Sequence, residues 1–349
     1  MPEPRKAVQT MAPYVPPTGS RAGKLRLDFN ENTVGCSPRV VEALTTALSR
    51  EQLSMYPEYH ATTQELAKFF DVSPEEFTMT NGTDEAIQLF VNTFVDPGSD
   101  VLVLKPSYPL YRFYLEVADA AIREVDYRPG FEFPTEELIA TVRPETRAIF
   151  IANPNNPTGG GIGLDKVRQI VRSAQNAAVF VDEAYVEFLG VTALGRIRAS
   201  SNLFVSRTFS KVYGMAGLRC GCLFSQADNI RWLRKAQSPF SVNVLALIAA
   251  RAAVLDREYA SKYVAEVWAA RELACNGLKK LGIPFYSTHS NFVLFDAGDR
   301  AIPIRDALRE RGILVRDRSY EIPGCVRLTI GTREQIVRFL KEMETLWTR

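Results

Sequence analysis

The sequence predicts an α/β protein in which a large domain holds a mainly parallel sheet between helices, and a smaller α+β domain follows. Over the first two thirds of the 349 residues, short apolar runs alternate with segments of helical periodicity. The apolar runs lack the polar and apolar alternation of a half-exposed strand, which is typical of strands buried on both faces of a parallel sheet. From about residue 230 the pattern turns helical. We therefore expect a large domain at residues 38–245, and a second unit that combines the N-terminal arm 1–37 with the segment 246–349.

The first forty residues are rich in proline and glycine, which predicts an extended arm instead of a helix, with a short strand at 25–29. Ser37 and Pro38 then predict the start of a helix, because serine is a favoured N-cap and proline is tolerated in the first turn. The apolar runs of the large domain predict strands at 77–80, 101–104, 148–152, 178–181, 203–205 and 220–224, with helices between them.

An apolar stretch at 244–255 contains Arg251 and is shorter than the roughly 18 residues of a membrane span, so it is expected to form a buried helix. A long amphipathic helix is expected at about 257–281. The remaining segment predicts the smaller unit, with strands at 292–295, 313–315 and 326–330, a helix at 304–311 and a final helix from Arg333.

The overall composition argues against several classes of function. A formal net charge of +2 gives no indication of a surface for nucleic acid or anionic membrane. The two histidines, His60 and His289, stand in no metal-ligand or catalytic-triad spacing, so neither a metal site nor histidine-based nucleophilic catalysis is expected. The five cysteines are scattered, and the N-terminus lacks the apolar stretch of a signal peptide. We expect reduced cysteines and a cytoplasmic protein.

One lysine, Lys211, follows the apolar strand 203–205 within a stretch of hydroxyl and glycine residues at 206–219. The carboxyl end of a strand is where open α/β sheets place their ligands. A lysine amine that is desolvated, or that lies near a cation such as Arg219, is more readily neutral and can form an imine with a carbonyl. The alternative is a solvated surface lysine, so the assignment depends on what else the chain brings to Lys211.

Asp182 ends the apolar run 178–181 and would place a carboxylate at the same edge of the sheet. A buried aspartate needs a cationic partner, and a pyridinium nitrogen is one such partner. Tyr185 stands three residues later, close enough to donate a hydrogen bond to the same ligand. The alternative for Asp182 is a structural role in capping a turn.

Two polar loops follow other strands of the predicted sheet. The segment 81–84, Asn-Gly-Thr-Asp, opens a helix whose free N–H groups and hydroxyl suit a phosphate, although an ordinary helix cap by Asp84 is the simpler explanation when the segment is taken alone. The segment 153–159 is stiffened by two prolines and would hold its asparagine amides in the crevice. The glycines at 159–163 do not fit a dinucleotide-binding motif, because they begin in a turn and not at a strand end.

Taken together, these motifs resemble those of fold-type I pyridoxal-phosphate aminotransferases, and more narrowly those of the histidinol-phosphate aminotransferase family. The resemblance covers almost the whole chain. Its central motifs are Asn-Pro-Asn-Asn-Pro-Thr-Gly at 153–159, Asp-Glu-Ala-Tyr-Val-Glu-Phe at 182–188 and Arg-Thr-Phe-Ser-Lys-Val-Tyr-Gly-Met-Ala-Gly-Leu-Arg at 207–219. Further matches are Asp-Phe-Asn-Glu-Asn at 28–32, Met-Tyr-Pro at 55–57, Tyr108 with Tyr111, and Val-Arg-Leu-Thr-Ile-Gly-Thr at 326–332.

The resemblance implies the fold-type I architecture and pyridoxal 5'-phosphate as cofactor. Lys211 would hold the cofactor as an imine and shuttle a proton, while Asp182 would pair with the ring nitrogen. Tyr185 and Asn156 would hydrogen-bond the ring oxygen, and Tyr108 would stack on the ring. The remaining cofactor contacts, mainly to the phosphate, would come from Gly82, Thr83, Asp84, Thr208, Ser210 and Arg219, with Tyr56 reaching in from the second subunit of a homodimer.

For the substrate, the resemblance implies that Arg327 binds the α-carboxylate, because an arginine fork matches a carboxylate in a way that lysine cannot. Arg316 and Tyr14 would contact a distal phosphate, and Asn32 would lie at the substrate. A surface ion pair with Asp317 or Glu321 is the alternative role for Arg316.

The reaction implied couples L-histidinol phosphate, as amino donor, to 2-oxoglutarate in a ping-pong scheme of histidine biosynthesis. Departures from the family pattern at 32–36, 107–109 and 213–215 leave the substrate side chain open. Aromatic amino acids are the nearest alternative, and a lyase of the same fold, such as a phosphothreonine decarboxylase, is another. A ligand-sensing domain of a regulator would normally follow a DNA-binding helix-turn-helix, which the first forty residues cannot supply.

Overall fold

The computed structural model describes residues 2–13, 19 and 21–348. Its strands are β1 (Leu25–Leu27), β2 (Phe77–Thr80), β3 (Asp100–Lys105), β4 (Ala121–Asp126), β5 (Thr146–Ala152), β6 (Ala178–Asp182), β7 (Leu203–Thr208), β8 (Gly221–Phe224), β9 (Phe292–Asp296), β10 (Ile313–Asp317) and β11 (Cys325–Thr329).

The helices of the N-terminal half are α1 (Lys6–Thr10), α2 (Pro38–Ala47), α3 (Arg50–Ser54), α4 (His60–Phe70), α5 (Gly82–Phe94), α6 (Pro109–Val117), α7 (Thr135–Thr141) and α8 (Leu164–Ser173). Those that follow are α9 (Val186–Leu189), α10 (Ala227–Ala236), α11 (Val244–Leu255), α12 (Arg257–Lys280), α13 (Ala301–Glu310) and α14 (Arg333–Trp347). Within the described ranges, none of these helices combines the length and the apolar character needed to cross a membrane.

The larger sheet of the described chain has seven strands in the order β2-β8-β7-β6-β5-β3-β4. The pairs from β7 through β6, β5 and β3 to β4 are parallel, whereas β8 runs antiparallel to both β7 and β2. The predicted mainly parallel sheet is therefore confirmed. Since parallel strands end at the same edge, the residues that follow β5, β6 and β7 meet there.

Both faces of this sheet are buried, which explains the absence of polar alternation in its strands. In β5, Ile149 and Ile151 join one apolar cluster, while Ala148, Phe150 and Ala152 join another on the opposite face. Helices cover the two faces. The first cluster includes residues of α4, α8, α11 and α12, and the second includes residues of α5, α6 and α10.

The smaller sheet has the order β1-β10-β11-β9. Its first strand comes from the N-terminal arm, because β1 pairs in parallel with β10. The C-terminal helix α14 buries Ile336, Phe339 and Met343, and it packs against α12. A mixed sheet with helices at the C-terminal end agrees with the α+β unit that the sequence predicts, while the boundaries at 37/38 and 245/246 stay a prediction.

Most predicted elements are present, and two differences have local causes. Ser37 caps α2 as expected, since its hydroxyl accepts a hydrogen bond from the Arg39 amide at 3.1 Å. The arm is not wholly extended, because Lys6–Thr10, which contains neither proline nor glycine, forms the short, exposed helix α1. Strand β4 was not predicted because it lies at the sheet edge and is largely solvent-facing, so it lacks an apolar run.

Candidate active site

A cavity of about 280 Å³ lies at the carboxyl ends of β5, β6 and β7, where Ala152, Asp182 and Thr208 contribute to its wall. It is the place where open α/β sheets bind ligands. Most residues predicted from the sequence line this cavity: Thr83, Asp84, Tyr108, Asn156, Asp182, Tyr185, Thr208, Ser210, Lys211, Arg219, Arg316 and Arg327.

Lys211 stands three residues beyond the end of β7 and is partly buried. Its Nζ donates a hydrogen bond to the Phe29 carbonyl oxygen at 3.1 Å and lies 5.6 Å from the centre of the Tyr185 ring. The loop that carries Lys211 packs closely on the N-terminal segment. A Cβ added at Gly214, whose φ is +68°, would lie 2.7 Å from the Cys36 amide nitrogen. The lysine is therefore held at the cavity and is not a solvated surface residue.

Asp182 is buried at the end of β6 and is surrounded by neutral donors. The Tyr111 hydroxyl donates to Oδ2 at 2.8 Å, the Ser206 hydroxyl to Oδ1 at 2.9 Å, and the Ala184 amide to Oδ1 at 3.1 Å. Burial raises the pKa of the Asp182 carboxyl above its ordinary value, while these hydrogen bonds oppose the rise. Within the described part of the chain, Asp182 forms no ion pair, which leaves a cationic ligand as its suitable partner.

Tyr111 and Ser206 were not predicted as site residues. Tyr111 lies one turn after Tyr108 in α6, and Ser206 is the β7 residue opposite Asp182 in the sheet register. Burial, together with the adjacent Asp182 carboxylate, raises the pKa of Tyr111 well above its ordinary value, so its hydroxyl stays a donor. The Tyr-x-x-Tyr spacing of residues 108 and 111 could have indicated Tyr111 as a site residue. Ser206 could be identified only from the pairing register of β6 and β7.

The Tyr185 hydroxyl accepts hydrogen bonds from two amides at the cavity. Asn30 Nδ2 lies at 3.0 Å and Asn156 Nδ2 at 3.4 Å. Asn156 was predicted here, but Asn30 was not. Asn32, two residues along, does not line the cavity. Its side chain donates to the Val212 carbonyl at 2.9 Å and accepts from the amides of the following turn, so it supports the loops around Lys211.

The end of the cavity nearest α5 carries the predicted phosphate ligands. Arg219 contacts Asp84 at 3.0 Å and the Ser210 hydroxyl at 3.4 Å, while the Tyr108 hydroxyl donates to the other Asp84 oxygen at 3.0 Å. Asp84 thus positions Tyr108 and Arg219, and the helix N-cap residue, Asn81, makes no capping bond with its side chain.

Gly82 and Thr83 form a tight cradle beside this arginine. The Gly82 φ is +76°, and a Cβ there would lie 2.8 Å from Arg219 Cζ. The Thr83 hydroxyl is buried, and no described residue hydrogen-bonds to it. A buried polar group without a partner is unfavourable, so this hydroxyl is suited to a ligand oxygen.

Arginines of β10, of β11 and of the segment between them also line the cavity. Arg327, on β11, is buried and donates to Asn156 Oδ1 at 2.5 Å and to the Asp28 carbonyl at 2.8 Å. Burial lowers the pKa of Arg327 to about 10, which still leaves the guanidinium charged at neutral pH. Its Nε is buried, and no described residue accepts from it. Arg327 therefore keeps hydrogen-bonding capacity for an anion.

Arg316 lines the cavity with its guanidinium carbon 5.7 Å from the Phe29 ring centre. The alternative ion pair of Arg316 with Asp317 or Glu321 is not seen among the described residues. Glu321 pairs with Arg318 instead, and Asp317 pairs with Arg305. Arg318 also lines the cavity, and it was not predicted. Its position two residues after Arg316 was the available signal, since alternate residues of an extended segment share a face.

One further predicted residue, Tyr56, does not line this cavity. Tyr56 is 75% exposed and stacks on Phe240, with ring centres 4.4 Å apart, so in a single chain it faces solvent. Tyr14, predicted to contact the substrate, lies outside the described residues. In the described ranges, no group of three or more histidine, cysteine, aspartate or glutamate side chains is arranged to hold a metal ion.

Comparisons with known proteins agree on one family. A family model described as aminotransferase class I and II matches residues 22–343. Histidinol-phosphate aminotransferase 1 of Carboxydothermus hydrogenoformans is 32% identical over 342 residues, which is 97% of this chain and 97% of the relative. The histidinol-phosphate aminotransferase of Symbiobacterium thermophilum is 34% identical over 354 residues, again with 97% of each chain covered.

Solved structures share the fold. The Sinorhizobium meliloti histidinol-phosphate aminotransferase, solved in complex with pyridoxal-5'-phosphate, has a TM-score of 0.89 at 23% identity, with 98% of this chain and 97% of that chain covered. A Thermus thermophilus aspartate aminotransferase mutant has a TM-score of 0.84 at 24% identity, with 99% of this chain and 100% of that chain covered. At these identities the likeness shows the fold alone, and it extends to enzymes with different substrates.

Proposed function

The chain belongs to the class I and II aminotransferase family, and we propose that it transfers the amino group of L-histidinol phosphate to 2-oxoglutarate. The observation that carries this substrate is the meeting of Arg316, Arg318 and Arg327 in the same cavity as Lys211. Glu31 also lines the cavity, but its charge is neutralised by ion pairs with Arg21 and Arg26, which do not line the cavity. Arg318 is likewise paired with Glu321, which does not line the cavity, so Arg316 and Arg327 supply the net positive charge of this part of the wall, which suits a phosphate dianion.

Pyridoxal 5'-phosphate is the cofactor of this family, and the residues present fit it. A buried, hydrogen-bonded carboxylate without an ion-pair partner among the described residues, Asp182, suits a pyridinium nitrogen. The unpartnered Thr83 hydroxyl, the Gly82 cradle and Arg219 suit a phosphate. Lys211, which lines the same cavity as Asp182, Thr83 and Arg219, suits an aldehyde carbon.

When bound, the cofactor supplies a carbonyl that takes up the amino group and a ring that accepts electrons from the substrate Cα. We assign to Lys211 the covalent attachment of the cofactor and, once substrate has displaced it, the transfer of a proton at the substrate Cα. Asp182 would keep the ring nitrogen protonated, because a nearby carboxylate favours the charged form of the nitrogen. Tyr185 and Asn156 would donate to the ring oxygen, and Tyr108 would cover the ring face.

The arginines would orient the substrate. L-histidinol phosphate carries a phosphate ester in place of an α-carboxylate, so Arg327 would meet an anion in either half-reaction. Its unpartnered Nε is available for that anion. Arg316, which has no ion pair within the described ranges, would supply a second guanidinium to the phosphate. Relatives named as histidinol-phosphate aminotransferases over 97% of the chain support the same substrate.

We further propose that the enzyme is a homodimer with shared active sites. The exposed Tyr56 and Phe240 form an aromatic pair at the surface, which is suited to burial against a second copy. In the dimer, Tyr56 would reach the cofactor phosphate of the neighbouring subunit. The five free thiols suit a reducing compartment, so we place the enzyme in the cytoplasm.

A half-reaction screen tests the substrate. Enzyme loaded with pyridoxal phosphate is mixed with L-histidinol phosphate, L-phenylalanine, L-tyrosine or L-phosphothreonine, and the loss of the absorbance of the lysine-bound cofactor is followed. L-Histidinol phosphate should react with the highest second-order rate constant and release no CO2. Faster reaction with an aromatic amino acid would overturn the proposed donor. Release of CO2 from phosphothreonine would indicate the lyase.

A variant tests whether the arginine cluster carries this preference. Arg316→Ala should lower kcat/KM for L-histidinol phosphate by about tenfold or more, the range for losing a hydrogen bond to a charged group. The value for L-glutamate, which lacks a phosphate, should fall less. The matched control is Arg309→Ala, a half-buried arginine of α13 that does not line the cavity. Equal losses for both donors in Arg316→Ala would contradict a phosphate subsite.

A further inference from the structure

Asn30 is a buried cavity residue whose backbone is in the left-handed region, with φ at +55°. Asparagine tolerates this conformation better than most residues. Its side-chain Nδ2 donates to the Tyr185 hydroxyl at 3.0 Å. The left-handed turn thus directs an amide from the N-terminal arm onto a tyrosine of the large sheet.

The Asn30 amide is oriented by a reciprocal pair of hydrogen bonds with Thr329 of β11. The Thr329 hydroxyl donates to Asn30 Oδ1 at 3.1 Å, and it accepts from the Asn30 backbone amide at 2.9 Å. Asn291 Nδ2 holds the Asn30 carbonyl oxygen at 3.1 Å. With Oδ1 engaged by Thr329, the Nδ2 group is the one that faces Tyr185.

A tyrosine hydroxyl has one hydrogen to donate, and its oxygen accepts through lone pairs. Asn30 and Asn156 both donate to the Tyr185 oxygen, so its accepting side is occupied by protein groups. The single hydrogen is then free to point into the cavity. Two charged groups close to this tyrosine are Lys211, with Nζ 5.6 Å from the ring centre, and Arg327.

We propose that Asn30 is a positioning residue that directs the Tyr185 hydrogen toward the ring oxygen of the cofactor. This inference rests on the proposed roles of Lys211 and Tyr185. Donation to the ring oxygen stabilises its negative charge. The lysine-bound cofactor then loses its shared proton at a lower pH than it would without that donor. Asn30 thus sets the pH at which the bound cofactor changes its protonation.

The test is a pH titration of the absorbance of the loaded enzyme, without substrate. Asn30→Gly is the variant of choice, because glycine keeps the left-handed backbone and removes only the amide. Its titration midpoint should rise by about half a unit to one unit, as expected for losing one hydrogen bond. Tyr185→Phe should raise the midpoint at least as much, and the double variant should show no shift beyond Tyr185→Phe.

Two further variants separate positioning from a general structural role. Asn291→Ala loosens the Asn30 backbone but leaves its Nδ2 donor, so the midpoint should stay at the wild-type value. Asn30→Asp keeps an acceptor for Thr329 but offers Tyr185 an acceptor in place of a donor. Asn30→Asp should therefore raise the titration midpoint, and it should raise it less when Tyr185 is also replaced by Phe. Asn30→Asp replaces Asn30→Gly in the test if the glycine variant does not fold.

The outcomes distinguish this inference from the proposed function. If wild-type enzyme forms no lysine-bound cofactor band, the role of Lys211 fails and the titration cannot be read as proposed. If the band forms but the midpoints of Asn30→Gly and Asn30→Asp equal that of wild type, the positioning role of Asn30 is overturned. It is also overturned if Asn291→Ala shifts the midpoint as far as Asn30→Gly, or if the Asn30→Gly shift persists without the Tyr185 hydroxyl.

Discussion

The hydroxyl of Tyr111 donates a 2.8 Å hydrogen bond to the carboxylate of Asp182, and both side chains are buried. Together with Ser206, this phenol supplies neutral donors to a carboxylate that has no ion pair among the described residues. Such donors favour the anion in a site where burial disfavours it. The arrangement keeps Asp182 ready for a cationic ring nitrogen, at the expense of the stability of the cofactor-free protein.

Because the buried carboxylate destabilises the cofactor-free protein, we expect Asp182→Asn to stabilise the cofactor-free form by an amount that depends on pH. The Asp182 pKa is raised by burial, so the folded chain holds this proton more tightly than the unfolded chain does. Its contribution to stability is complete below the unfolded pKa of about 3.9 and is lost as pH rises through the folded pKa. Asparagine does not titrate, so the cofactor-free variant should melt higher than wild type at neutral pH. The difference should shrink in acid, and a variant less stable at neutral pH would contradict the argument.

The same substitution should greatly reduce turnover. Without the carboxylate, the ring nitrogen is no longer kept protonated, and kcat should fall by roughly 100-fold to 1,000-fold, the range for a preorganised electrostatic contact. Tyr111→Phe removes one donor to Asp182 and should reduce kcat by only about tenfold. Steady-state kinetics with saturating cofactor provide the measurement. Near-normal kcat in Asp182→Asn would refute its role toward the ring.

Lys211→Ala should abolish covalent attachment of the cofactor. Wild-type protein incubated with pyridoxal phosphate should be yellow, and borohydride reduction should leave the cofactor on the peptide that contains Lys211. The variant should lose the band of the lysine-bound cofactor and show no reduced adduct by mass spectrometry. Lys105→Ala, at an exposed lysine paired with Glu124, is the matched control and should keep the band. An adduct in the Lys211→Ala protein would place the attachment elsewhere.

Gly82→Ala should weaken cofactor binding through a steric effect on Arg219. An alanine Cβ would approach the guanidinium carbon to 2.8 Å and displace the arginine from the phosphate end of the cavity. Gly98→Ala provides the control, because its φ of +78° causes similar backbone strain while no atom lies within 4 Å of the new Cβ. The Kd for pyridoxal phosphate should rise by about tenfold or more in Gly82→Ala alone. Equal changes in both variants would assign the effect to backbone strain.

Tyr56→Phe should weaken cofactor binding without changing the mass of the assembly. The hydroxyl is exposed in one chain, so its effect on the cofactor requires a second subunit. Light scattering should give a dimer for both wild type and variant, while equilibrium dialysis should show about tenfold weaker binding of pyridoxal phosphate in the variant. A fully active monomer would exclude the shared site.

The predicted strands of the large sheet and most of its site residues could be read from the sequence for a common reason. Buried parallel strands are continuous apolar runs, and the polar residues that end them meet at one edge of the sheet. Asp182 and Lys211 are found this way, because each closely follows such a run. Strand β4 was not predicted, because an exposed edge strand has no apolar run. It is recognised in the structure by its pairing with β3.

Residue types and their places in the chain were enough to identify the chemical groups of the site: a lysine, a carboxylate, phosphate-binding loops and arginines, each in or beside a predicted element. The folded chain was needed to show that Asn30, and not Asn32, faces the cavity, and that Ser206 and Arg318 belong to its surroundings. Local pattern cannot make that choice. The direction of the Asn30 amide depends on a left-handed backbone and on Tyr185 and Thr329, residues far away in the chain, whose hydrogen bonds exist only once the two sheets are assembled.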